Sequence, residues 1–372
     1  MRPLLWYWGR RGGGAQFALC LAQAMAPAGL ALSVSRQGSL IEAFRAVAAP
    51  RQEVDTYASL GGFLRGLARV PSLTRQLRRF AQAEGADVVI SAMAHPWTPL
   101  IAPALARAGL RYVPVVHDAL PHPGDPAPLM RWRLDRELAC ASAAVALSET
   151  VATAIATRFP RLPLIHLPLG AHLPFGVAAA ERRSDLDAAA AETRFDFLFF
   201  GRIRAYKGLD LLRDAWVIVA AARPEATLRV VGDGNLDAVA PGLAALPGVT
   251  IEQRWVPDEE MAAVIGAAGA LVLPYREASQ SGVLPIALAL GVPAVATIVG
   301  GLGEQLRDEV TGLQVAPEPR AFAGAMLRML DPERRARLAA GAKAAGAALT
   351  DWDRQAAALR KGIAAALRAS VP

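Results

Sequence analysis

Short apolar runs alternate along this chain with Ala-, Leu- and Arg-rich segments of helical spacing, and that alternation is what most restricts its fold. Runs that are apolar at nearly every position suit strands buried on both faces, the situation of a parallel sheet covered by helices on each side. Residues 4–8, 31–35, 88–91, 112–116, 145–147 and 164–167 read as such strands. Residues 15–26, 73–84, 99–108 and 130–141 read as helices between them.

The pattern breaks between 175 and 194, where Glu181, Arg182, Arg183, Asp185, Asp187 and Glu192 crowd a stretch with little periodicity. It then restarts, with strands at 195–200, 227–231, 249–252, 270–274 and 293–297 and helices at 209–222, 258–268 and 284–290. The expected organisation is a first domain over 1–175, a linker over 176–194, a second domain over 195–350, and a last helix over 351–372 that crosses back to the first. A chain of 372 residues exceeds one ordinary core and suits two of roughly 150–190 residues. Both domains are α/β and doubly wound, so a ligand is expected at the carboxyl ends of their strands.

Apolar residues make up 53% of the chain, which suits two buried cores and argues against disorder. The net charge of +7 fits nucleic acid, an anionic membrane face or a phosphorylated small molecule, and selects none of them. The basic residues are not interleaved with aromatics on a recognisable nucleic-acid module, so nucleic acid is not an expected partner. Cys20 and Cys140 stand far apart in apolar runs, which predicts neither a disulfide framework nor a zinc site and makes a reducing cytoplasm the expected location. Residues 1–8 lack the features of a signal peptide, and the longest apolar stretch, 261–275, is too short to span a bilayer. A soluble chain is expected, resting at most on the inner face of a membrane.

Glycines mark the strand ends. Gly12-Gly13-Gly14 lies between the first strand and the first helix, either as a plain tight turn or as a loop bringing Gly13 and Gly14 N–H groups to a ligand. It is not a dinucleotide fingerprint, because Phe17 stands where the last glycine belongs. The loop Gly201-Arg202-Ile203-Arg204-Ala205-Tyr206-Lys207-Gly208 places cations at a strand's carboxyl end and reads as an anion site, with Arg202 able to fork onto a phosphate and Lys207 acting as a point charge. Gly232-Asp233-Gly234 makes a turn after the next strand. Ser281, Gly282 and Val283 precede a short helix, where backbone N–H groups favour an anion.

Taken in order, these elements resemble the retaining glycosyltransferases of family four, and more narrowly a subgroup with a Gln-Ser-Gly-Val phosphate loop. The resemblance covers nearly the whole chain and is most specific at 201–212, 230–234, Trp255-Val256-Pro257-Asp258-Glu259, 280–297 and Val310-Thr311-Gly312-Leu313. It implies the GT-B fold, two Rossmann-like domains facing across a cleft. It implies that Arg202, Lys207 and the loop of Ser281, Gly282 and Val283 hold the donor diphosphate, joined by Gly13 and Gly14. It places Trp255 and Val256 by the nucleobase, with Gly232, Asp233 and Gly234 on the nucleoside side. One departure stands out. Many members carry two glutamates around the phosphate loop, and Ala278 and Ile286 occupy those positions here. Glu277, one residue earlier, is the remaining candidate to reach the donor sugar.

His117, at the end of a buried strand, is a candidate to contact the transferring sugar, and Asp118 either orients its imidazole or binds the acceptor hydroxyl, the alternative for His117 being a structural strand cap. His95, His122 and Gln280 are acceptor-side candidates, although His122 between Pro121 and Pro123 also fits a rigid turn. From Phe63 to Phe80, five arginines (Arg65, Arg69, Arg75, Arg78, Arg79) interleave with apolar residues. That segment is either a solvated helix face or a peripheral membrane contact near a lipid-linked acceptor.

The expected reaction is transfer of a sugar from a nucleotide diphosphate, UDP by family frequency, to a hydroxyl with retention, in polysaccharide, lipopolysaccharide or glycolipid synthesis. The cations and the helix N-terminus are expected to stabilise the leaving phosphate without metal or cofactor. The triplets Asp185–Asp187 and Asp351–Asp353 do not read as metal sites. Rival readings are a natural-product glycosyltransferase, a nucleotide-sugar epimerase on the same fold, and a non-catalytic nucleotide-sugar binding protein.

Overall fold

The computed structural model describes residues 1–120, 127–172 and 195–369. Two compact units divide the chain, Met1–Gly170 with Asp351–Pro372, and Ala171–Thr350. The sequence-read linker at 176–194 lies outside the described residues.

The first unit is built on seven strands: β1 (Pro3–Tyr7), β2 (Ala31–Ser35), β3 (Arg51–Val54), β4 (Val88–Ser91), β5 (Arg111–Val116), β6 (Ala144–Ala146) and β7 (Leu164–His166). They run parallel in the order β3-β2-β1-β4-β5-β6-β7. Alternation along β1 divides its side chains between the two sheet faces. Leu5 and Tyr7 join one core with Phe17, Ile90 and Val113, while Leu4 and Trp6 join another with Val89, Trp97 and Tyr112. Both faces are therefore dry, which is why the run is apolar throughout. The last helix, Trp352–Ala369, packs on this unit; Trp352 meets Phe17 edge-on at 5.6 Å.

The second unit carries β8 (Phe195–Phe200), β9 (Leu228–Val231), β10 (Val249–Glu252), β11 (Ala268–Leu273), β12 (Ala294–Thr297) and β13 (Gly312–Val315), parallel in the order β10-β9-β8-β11-β12-β13. One hydrophobic core surrounds Phe197, Phe199, Trp216, Leu271 and Leu288. In each sheet the strand order reverses beside the first strand, between β1 and β4 and between β8 and β11, so each has a switch point where a ligand crevice belongs.

Two edge strands have no counterpart among the sequence-read strands. β3 reads Arg-Gln-Glu-Val because an edge strand meets solvent, and its Glu53 pairs with Arg45 at 2.8 Å. β13 begins at Gly312, where a Cβ would lie 2.1 Å from the Ala294 carbonyl oxygen. The segment from Phe63 to Phe80 is not continuous either. It forms two helices, Leu60–Leu67 capped by Ser59 and Val70–Ala83 with Pro71 in its first turn. After β12, Gly300 at φ 46° leads into a short helix, Leu302–Gln305.

Candidate functional site

At the switch point of the second sheet, the loops after β8 and β11 are locked together. The Arg276 N–H donates to the Tyr206 carbonyl at 2.9 Å, and the Arg276 guanidinium pairs with Asp210 at 2.6 Å. Gly208 has φ 69°, and a Cβ there would lie 1.9 Å from the Pro274 carbonyl oxygen, so only glycine fits both the turn and the gap. The Lys207 ammonium donates to the Tyr275 hydroxyl at 2.5 Å and lies 3.9 Å from the centre of its ring. The Tyr275 oxygen is in turn 3.3 Å from Ser281 Oγ. Burial pushes the Tyr275 phenol up to about 12, so it stays protonated and can pass a hydrogen bond on to Ser281 while accepting from Lys207. Thr297, at the end of β12, holds the Tyr275 carbonyl at 2.5 Å.

Arg202 and Arg204 are exposed on the same loop, and among the described residues neither has an ion-pair partner. A fixed ammonium beside uncommitted guanidinium groups at strand carboxyl ends is an arrangement that takes a phosphate.

The loop Ser281-Gly282-Val283 departs from its sequence reading in one respect. The Ser281 N–H is already donated to Gln305 Oε1 at 2.6 Å, and Gln305 Nε2 returns a bond to the Ser281 carbonyl at 3.1 Å. Ser281 therefore offers its side chain rather than its backbone donor. Gly282 is exposed, with open space where a Cβ would stand, and Val283 is half-buried.

Gly232 and Gly234 are explained by their own loops. A Cβ on Gly232 would lie 1.9 Å from the Gly201 carbonyl oxygen, and one on Gly234 2.6 Å from that of Ile203. The Ile203 N–H also donates to the Asp233 carbonyl at 2.8 Å, so these glycines let one strand-end loop brace another. Trp255 is 43% exposed, an unusual position for an indole, while Val256 is buried in the core. Ala278 and Ile286 both lie in that core, so the places where many relatives carry glutamates are apolar here. Glu277 is half-buried, and Gln280 is half-buried beside Ser281.

In the first unit, the helix Gly13–Met25 opens after Gly12 at φ 85°, whose carbonyl accepts the Ala15 N–H at 2.8 Å. Gly13 and Gly14 stand in its first turn at the carboxyl end of β1. His117 follows β5. Its Nε2 lies 3.2 Å from the Ala92 carbonyl, so that nitrogen carries the proton, and its ring meets Phe17 edge-on at 5.2 Å. Burial lowers its pKa against the opposing pull of Asp118 and of that hydrogen bond, which keeps the imidazole neutral near pH 7. His117 and the exposed Asp118 line a cavity of about 150 Å³ between the strand ends and the helix Ala127–Leu138.

His95 is placed differently. It is buried among Trp8, Tyr57 and Trp97, its Nδ1 accepts the Trp97 N–H at 3.2 Å, and burial, with Arg133 and Arg10 nearby, pushes it down to about 3. His122 lies outside the described residues. Tyr275 and Gln305 are the residues that sequence reasoning missed. The only local signal was a tyrosine directly after the strand read at 270–274, and nothing near Gln305 pointed to Ser281.

Two parallel, doubly wound α/β units with these strand orders make the GT-B fold. Solved structures share it along the whole chain: Anabaena HepE, crystallised with UDP and glucose, superposes with a TM-score of 0.74 at 19% identity, covering 98% of this chain and 99% of that one. A sucrose-phosphate synthase from Thermosynechococcus elongatus gives 0.72 at 18% identity, covering 100% of each. In sequence, residues 11–171 match the model for glycosyltransferase family 4, and residues 194–332 match that for glycosyl transferases group 1. Each half of the chain is thus similar to a glycosyltransferase family. Among curated relatives, a D-inositol 3-phosphate glycosyltransferase from Thermobispora bispora is 34% identical over 183 residues, 45% of this chain and 42% of that protein. The chain thus spans less than half the length of this relative.

Proposed function

We propose that the chain is a retaining glycosyltransferase that moves a sugar from a nucleotide diphosphate, UDP in the first instance, to a hydroxyl acceptor. The observation that carries this reading is the Lys207–Tyr275–Ser281 chain of hydrogen bonds on the same strand-end loops as the exposed Arg202, which has no ion-pair partner among the described residues. Breaking the bond between the anomeric carbon and the diphosphate leaves charge on the departing phosphate, and preorganised cations stabilise that charge without reorganising. No metal is required in this scheme. In this reading His117, neutral and hydrogen-bonded to the Ala92 carbonyl, contacts the transferring sugar, Asp118 serves the acceptor hydroxyl or the His117 ring, and Glu277 the donor sugar. The matches to glycosyltransferase families over both halves, and the UDP and glucose in HepE, support the donor class. The inositol phosphate named for the curated relatives makes a phosphorylated polyol one acceptor to try, beside glycolipid and polysaccharide intermediates.

The test of the donor is thermal stability with UDP, GDP, ADP and TDP. A nucleotide at a hundred times its dissociation constant is expected to stabilise the protein by about 2.7 kcal/mol, and the shift to vanish in Lys207→Ala. No shift with any nucleotide would reject the donor site. Retention is checked by proton NMR of the product, where an inverted anomeric centre would overturn it.

The reading extends to a peripheral membrane contact. In the helix Leu60–Leu67, Phe63 turns inward against Tyr57 and Trp97, while Leu60, Leu64 and Leu67 are 76%, 58% and 37% exposed. Arg65 and Arg69 are exposed in and just after this helix, and Arg75, Arg78 and Arg79 are exposed on the helix Val70–Ala83 that follows. Each arginine near an anionic surface contributes about 1 kcal/mol. The protein is expected to sediment with phosphatidylglycerol vesicles and not with phosphatidylcholine vesicles at low salt. Binding should fall at least tenfold in a Leu60→Ser, Leu64→Ser double variant, and equal binding to both vesicle types would reject the contact. Among the described residues no helix is long and apolar enough to cross a membrane.

A further inference from the structure

The cavity beside His117 holds a second pair of polar groups that the donor chemistry does not use. Glu137, in the helix Ala127–Leu138, is 2% exposed, and its Oε2 accepts the Tyr112 hydroxyl at 3.0 Å. Its Oε1 is also buried and, among the described residues, has no hydrogen-bond partner. One helical turn earlier, the Nε of Arg133 is buried and likewise without a hydrogen-bond partner among the described residues. Both residues line the same cavity of about 150 Å³. Among the described residues no ion pair joins them. Orphaned buried polar atoms are uncommon in folded proteins and call for an occupant. Burial pushes the Glu137 carboxyl up to about 7 against the pull of Tyr112 and Arg133, as befits a carboxylate short of donors.

The charges of the pair select that occupant. An anion would meet Glu137 and a cation would meet Arg133. An apolar group would leave both unsatisfied. A hydroxyl suits each, donating its hydrogen to Oε1 and accepting the Nε–H, and adjacent hydroxyls suit the pair one turn apart. A water's share of liquid volume is about 30 Å³, so the space exceeds one water and admits a small polyol or part of a sugar ring.

We propose that this cavity binds a neutral polyhydroxy ligand, a sugar or polyol, through the Glu137 carboxylate and the Arg133 guanidinium. The identification of that ligand with the hydroxyl-bearing end of the acceptor rests on the transferase reading; the binding itself does not.

The experiment is saturation-transfer NMR and calorimetry with myo-inositol, glycerol, glucose and galactose on the full chain, with UDP binding measured in parallel. At least one polyol is expected to bind the wild type. Glu137→Gln and Arg133→Met should each weaken it about tenfold, the scale of one charge-assisted hydrogen bond, while UDP binding stays unchanged. Ala94→Leu, which fills the cavity from its other wall, should abolish polyol binding even if a Glu137 variant does not fold. Saturable binding that is indifferent to all three variants, or no binding of any polyol at 50 mM, would overturn the proposal. Polyol binding without UDP binding would uphold the cavity and sink the donor reading; UDP binding alone would do the reverse.

Discussion

Lys207→Ala is expected to lower kcat/KM for the donor by about 10²–10³-fold while leaving the melting temperature of the unliganded protein nearly unchanged. The ammonium donates to the Tyr275 hydroxyl and lies 3.9 Å from the centre of its ring, so it is oriented in advance. A charge fixed in advance stabilises a departing phosphate more than one that must be recruited from solvent. Lys207→Arg is expected to recover only part of the loss, because a planar fork does not reproduce a point charge seated on Tyr275. Steady-state kinetics with varied donor checks this. A Lys207→Ala enzyme within threefold of wild type would remove the residue from the phosphate site.

Gly208→Ala is expected to destabilise the second unit by about 3 kcal/mol, lowering its melting temperature by about 6–12 °C. The left-handed backbone at φ 69° disfavours any side chain, and the added methyl would overlap the Pro274 carbonyl, which is backbone and cannot swing aside. Relief comes only by parting the β8 and β11 loops, which also moves Lys207 from Tyr275, so nucleotide binding should weaken with stability. Gly282→Ala is the control: its Cβ meets nothing, and a shift below about 1 °C is expected. Calorimetric melting of both variants decides it. Equal, small effects would show that the β8 and β11 loops are not tightly packed at Gly208.

The parts of this molecule visible in the chain were those governed by near neighbours. The fully apolar runs of β1 and β8 announced strands dry on both faces, and the glycines after them announced turns at strand ends. Lys207 could be placed on a basic loop at a strand end because the loop, its glycines and its strand are contiguous. β3 escaped notice because an edge strand facing water has no apolar run to betray it.

Tertiary structure decided which of those strand ends meet. Lys207 and Tyr275 are 68 residues apart, Gln305 and Ser281 are 24 apart, and Tyr112 and Glu137 are 25 apart. Local periodicity carries no information about such pairs, because strand order in a parallel sheet is set by packing and crossover geometry rather than by adjacency in the chain. The sequence by itself determined two doubly wound sheets and a basic loop at a strand end. Only the folded chain turned that loop into a lysine seated on a buried tyrosine, took the Ser281 N–H for Gln305, and left Glu137 and Arg133 facing a cavity with polar atoms to spare. Burial creates those last features, and burial is a property of the packed molecule alone.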